Sequence, residues 1–112
     1  MLVYQGKLNT NTDYATEDEV ITLTISGALE QGSPAVITGQ WTVSYEGVSK
    51  ENYTQAGTIT TLEDDHIELY VDEDKYYWFI GTVSDEKIVL DMKSPDLEDY
   101  GHAELSLVYS DQ

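Results

Sequence analysis

Seven of the twelve residues from Glu63 to Asp74 are acidic, and carboxylates at that density suit three kinds of chemistry. They can hold a divalent cation, exchange protons, or present a row of negative charge. Calcium asks for oxygen ligands placed around a tight loop, usually with a glycine at its turn. Asp72-Glu73-Asp74 and Glu63-Asp64-Asp65 lack that glycine-bearing pattern, so no dedicated metal site is expected. Acid–base catalysis needs a selected pair in a shaped pocket. With 22 acids in 112 residues some pair must lie close, so proximity alone points to no catalytic residue. The row is the more specific reading. Asp64, Glu68, Asp72 and Asp74 share one parity, and in extended backbone same-face positions repeat every ~6.6 Å. Phosphates along a DNA strand recur at a comparable interval, with ~3.4 Å of helical rise each. Asp64, Asp65, Glu68, Asp72, Glu73 and Asp74 are therefore the candidate partner-binding residues.

Other chemistries lack their parts. The chain has no Cys, which removes disulfides, thiolate metal sites and cysteine nucleophiles. His66 and His102 are its two histidines, too far apart in sequence for a short zinc-ligand spacing, and both are expected at the surface, His102 in a loop. No phosphate loop, dinucleotide fingerprint or nucleophile elbow is present. A non-enzyme without cofactor is expected.

The elements that must carry the acids read as strands. Ile37, Gly39, Trp41, Val43 and Tyr45 alternate with Thr38, Gln40, Thr42 and Ser44, which suits a strand with one buried face. Ile21–Ile25, Ile67–Val71, Ile88–Met92 and Ala103–Leu107 alternate likewise, and Leu2–Leu8 and Gln55–Leu62 are β-compatible. Tyr76–Val83 is apolar at both parities and reads as a central strand covered on both sides. Acidic breaks at Glu63–Asp65, Asp72–Lys75 and Ser84–Lys87 suit hairpins, with longer connections at 9–19, 29–34, 46–53 and 94–102. The expectation is a single all-β domain over 1–112, an antiparallel barrel or sandwich of about eight strands, largely up-and-down. In such a meander the connections at 9–19, 46–54, 72–75 and 94–102 share one end, which would hold the larger group of acids.

Charge limits the partner. The formal net charge is -17, with five Lys and Arg together against 22 acids. Both nucleic acid and anionic membranes are polyanions and would repel this chain. Solubility alone asks for a net charge of roughly 2–8, although a halophilic origin would also supply abundant acids. No apolar run approaches the roughly 20 residues of a membrane-spanning helix. Met1-Leu2-Val3-Tyr4-Gln5 lacks the basic start of a secretory signal, so a cytoplasmic location is expected.

Two resemblances add to this. Gly39-Gln40-Trp41, followed by Tyr45, resembles the Gly-x-Trp start of lipocalin and avidin-like barrels. It departs from them in lying well inside the chain and in the absence of any Arg to cover the Trp. That resemblance implies a small-ligand pocket lined by Trp41, Tyr45, Tyr76 and Trp78. In size, acidity and lack of a catalytic kit, the chain also resembles small phage-encoded inhibitors of host defence, of the anti-restriction and anti-CRISPR kind. Several of these mimic DNA. This second resemblance implies a basic protein surface as partner, such as the nucleic-acid channel of a nuclease or CRISPR effector.

Overall fold

The structure, a computed structural model, describes the backbone of residues 1–10, 19–43, 49–71, 78–93 and 99–111, with side chains at 1–9, 20–39, 54–70, 79–93 and 101–111. Eight antiparallel strands follow one another around a closed barrel. They are β1 (Leu2–Thr10), β2 (Glu19–Ile25), β3 (Pro34–Val43), β4 (Ser49–Glu63), β5 (His66–Val71), β6 (Trp78–Ser84), β7 (Lys87–Lys93) and β8 (Asp99–Ser110). Each strand pairs with its successor, and β8 closes the ring against β1. Closure leaves no unpaired edge for another chain to extend.

Alternation explains which side chains turn inward. Leu2, Tyr4 and Leu8 of β1, Ile21, Leu23 and Ile25 of β2, and Ile88, Leu90 and Met92 of β7 are all buried. An eight-stranded barrel is just wide enough for such side chains to fill. Filling it requires large and small residues to alternate around the wall. Leu8 pairs with Ala103, Ala103 with Leu90, Leu90 with Gly81 and Gly81 with Ile67. Gly81 is needed for a closer reason than volume. A Cβ on it would lie 1.7 Å from the Val89 carbonyl oxygen, and one on Gly6 1.8 Å from that of Glu104. Both glycines let the wall bend tightly onto the neighbouring strand.

Three expectations are corrected. β6 is not covered on both faces: Phe79 is buried in the barrel, while Ile80 is only half-buried on the outside. β4 starts at Ser49 and absorbs most of the connection expected at 46–53, because pairing with β3 continues through Val43↔Ser49. His102 lies in β8, which begins at Asp99, and not in a loop.

Two strand irregularities shape the outer wall. Between Ile59 and Thr61 the β4–β5 register shifts, and the extra residue, Thr60, donates its hydroxyl to the Glu68 carbonyl at 3.3 Å. Between Val3 and Tyr4 the β1–β8 register shifts and leaves Val108 as the extra residue, 57% exposed. Among the described residues no helix is long and apolar enough to cross a membrane.

Candidate functional site

The meander sorts strand ends onto two rims. Thr10, Glu19, Val43, Ser49, Val71, Trp78, Lys93 and Asp99 end at one rim. Residues 11–18, 44–48, 72–77 and 94–98 of the connections expected to concentrate acids there, with Asp72, Glu73 and Asp74 among them, lie outside the described residues. The other rim carries the β4–β5 and β6–β7 hairpins, the β2–β3 connection and both chain termini.

This second rim is acidic and rigidly built. Asp64 and Asp65 close the β4–β5 hairpin with φ of 48° and 71°. Both central residues at positive φ is the type I′ arrangement, whose twist matches that of the flanking strands. Glu86 closes the β6–β7 hairpin with φ of 60°. Each tip is fastened sideways to the barrel: Val83 N–H donates to the Asp65 carbonyl at 2.7 Å, and Leu107 N–H to the Glu86 carbonyl at 2.7 Å. Glu30 sits in a connection held down by Gly32 N–H on the Ile59 carbonyl, at 2.8 Å, and by the Ser33 hydroxyl on the Ala28 carbonyl, at 2.7 Å. Glu30, Glu63, Asp64, Asp65, Asp85 and Glu86 are all exposed on this rim. The Met1 ammonium is paired with Asp111 close by. Below the tips, burial and then the Glu86 charge push the Tyr4 phenol above its usual range.

The candidate row is thus interrupted at its start. Asp64 belongs to a turn, so the ~6.6 Å strand repeat begins only at His66 and continues through Glu68 and Tyr70. Glu68 lies half-buried on the outer wall, with its carboxylate 3.4 Å from His66 Nε2. Asp64 and Asp65 come together with Asp85 and Glu86, a grouping that needs the strand order to be seen.

On the same side of the barrel, β7 and β8 bring Asp91, His102 and Glu104 together. His102 Nδ1 is 2.7 Å from Asp91 Oδ1, and Nε2 is 3.7 Å from Glu104 Oε1. The hydrogen bond to Asp91 raises the imidazole pKa against the opposing effect of burial, and the charges of Asp91 and Glu104 add to the rise. Among the described residues no group of three or more His, Cys, Asp and Glu is placed to hold a metal ion.

Of the pocket candidates, Tyr45 and Tyr76 lie outside the described residues. Trp41 pairs with Glu51 in β3–β4, and Trp78 with Tyr70 and Lys93, as backbone positions only. A cavity of about 10 Å³ lies beside Gln55, lined also by Ala35, Ile37, Gly57 and Leu69. That is room for about one water. Gln55 is a polar side chain buried among the barrel's apolar residues, at 6% exposure.

Fold and surface together define an eight-stranded antiparallel barrel with an acidic hairpin rim. No protein-family model matches the chain, and no curated protein matches its sequence.

Proposed function

We propose that the chain is a non-enzymatic binding protein of the cytoplasm whose acidic surface engages a basic protein surface. In its sharpest form it is a nucleic-acid-mimicking inhibitor of a nuclease or CRISPR defence complex. One observation carries this reading: Glu63, Asp64, Asp65, Asp85 and Glu86 stand exposed on adjacent hairpin tips, each tip hydrogen-bonded to the next strand. Charges on such a platform meet a row of Lys and Arg without first having to be ordered, and ordering costs affinity. The outer wall offers less, because Lys87 and Lys93 share it with Glu68, Asp91 and Glu104.

The test is suppression of DNA cleavage by a nuclease with a basic channel, read as inhibitor affinity against salt. The protein should compete with DNA, and its affinity should fall as NaCl rises. Changing the five rim acids to Asn or Gln should flatten that salt dependence, as loss of phosphate contacts does for DNA. An affinity indifferent both to salt and to these changes would refute the reading.

A lipocalin- or avidin-like small-ligand barrel is the alternative. It needs a cavity of roughly 300 Å³ or more, and among the described residues the void beside the buried, polar Gln55 is only about 10 Å³, which favours the acidic-surface reading over it.

A further inference from the structure

The outer wall has two unlike halves. Along β1–β4 the described outward side chains are Val3, Gln5, Lys7 and Asn9, then Val20, Thr22 and Thr24, then Pro34, Val36 and Thr38, then Thr54, Ala56, Thr58, Thr60, Thr61 and Glu63. Glu63, at the hairpin end of β4 beside β5, is the one carboxylate among them, in a chain with 22 acids among 112 residues. Lys7, the one basic side chain among them, lies at the opposite border, paired with Glu104 of β8. The carboxylates Glu68, Asp91 and Glu104 all project from β5, β7 and β8.

The neutral half is also ordered. Cross-strand pairing makes one continuous row, Ser106–Gln5–Thr22–Thr38–Thr54, running over five strands. A second row runs Tyr109–Val3–Thr24–Val36–Ala56. Gln5 already donates to the Thr22 hydroxyl at 3.2 Å. Val108 and Tyr109 extend the second row and are 57% and 50% exposed.

We infer that this face is where two copies of the chain meet. A hydroxyl both donates and accepts, so a threonine array is complementary to itself, and a two-fold contact uses the same patch on both partners. Charge makes the same choice of occupant. A basic partner gains little from a face whose two central rows hold no carboxylate and whose single acid, Glu63, stands at the rim corner. Two copies with a net charge of -17 each are held apart by their acids everywhere else. Meeting through β1–β4 turns Glu68, Asp91 and Glu104 of both copies away from the contact.

Size sets the strength. Four strand-to-strand steps of ~4.8 Å and some 15–20 Å of strand give roughly 300–400 Å² per copy. Doubled, that falls below the ~1,200 Å² of the smallest standard interfaces. The dimer is therefore weak, and salt should strengthen it, since screening removes the repulsion while leaving apolar and hydroxyl contacts in place.

Sedimentation of the intact chain at millimolar concentration tests this, at about 0.01 M and about 0.5 M NaCl. The average mass should be monomeric at low salt and move clearly towards dimer at high salt. Thr38→Glu, in the middle of the face, should hold the protein monomeric at high salt. Thr82→Glu makes the same change on an exposed threonine of β6 and should associate like the parent. Melting curves check that each variant folds, and Thr54→Glu substitutes if Thr38→Glu does not. A parent that stays monomeric at both salt concentrations would overturn the inference, as would equal losses in the β3 and β6 variants.

Discussion

His102 Nδ1 lies 2.7 Å from Asp91 Oδ1 across the β7–β8 ladder, with Glu104 on the far side of the ring, so an exposed imidazole is held between two carboxylates. Its pKa is raised in the folded state. The folded chain therefore keeps a proton on His102 at pH values where the unfolded chain, near 6.5, has lost it. The resulting stability is fully present below about pH 6.5 and is lost as pH rises through the folded value. The pair is half exposed, which limits its worth to at most about 1 kcal/mol. Protonation of the many other carboxylates also changes stability with pH, so the difference from His102→Asn is the informative quantity. The parent should exceed this variant at pH 5.5 and match it at pH 8.5. A difference constant over that range would remove the histidine's role.

Little of that pair was legible in the sequence. Alternation at Ile21–Ile25, Ile88–Met92 and Ala103–Leu107 announces strands with one buried face, and short polar breaks between them announce a meander. Register is different. It depends on how the β7–β8 connection returns the chain, and a one-residue slip would move His102 to the other face. The start of β4 at Ser49 was hidden for a related reason, since Lys50, Glu51 and Asn52 carry no apolar alternation. The rim grouping of Asp64 and Asp65 with Asp85 and Glu86 emerges only from strand order, although each pair was visible as a turn.

Salt should stabilise the free protein. Its 22 carboxylates against five basic residues repel one another in the compact state. The Debye length shrinks from ~30 Å at 0.01 M to ~10 Å at 0.1 M salt. The melting temperature should rise across that interval, when measured at a protein concentration low enough to exclude association. No change would mean that the charges are already too far apart to interact.

Gly81→Ala and Gly6→Ala should both be costly. Each added methyl would sit within 2 Å of a backbone oxygen on the adjacent strand, at 1.7 Å and 1.8 Å respectively. Backbone cannot step aside as a flexible side chain can, so the loss should reach or exceed the ~1–3 kcal/mol of ordinary overpacking. Thr54→Ala, on the exposed wall, should stay within about 0.5 kcal/mol of the parent. Urea denaturation of the three variants provides the comparison. Alanine at position 81 without loss of stability would show that the wall relaxes there.

The hairpin tips allow strain and charge to be separated at a single position. Glu86 occupies the left-handed region at φ 60°, which costs a residue with a Cβ roughly 1–2 kcal/mol. Glycine removes that cost but gives back about 0.5–1 kcal/mol through its more flexible unfolded chain. Glu86→Gly should therefore gain up to about 1 kcal/mol, seen as a melting temperature several degrees higher. Glu86→Gln keeps the strain and removes only the charge, so its stability should change little. Asp65→Gly should gain less, because Asp enters this region more readily than Glu. Binding to a basic partner should follow charge alone. Glu86→Gly and Glu86→Gln should weaken it to the same degree, although one variant is more stable than the parent. A Glu86→Gly variant no more stable than Glu86→Gln would remove the strain argument. Unchanged binding in both, with Asp64, Asp65 and Asp85 also neutralised, would mean that the rim serves solubility alone.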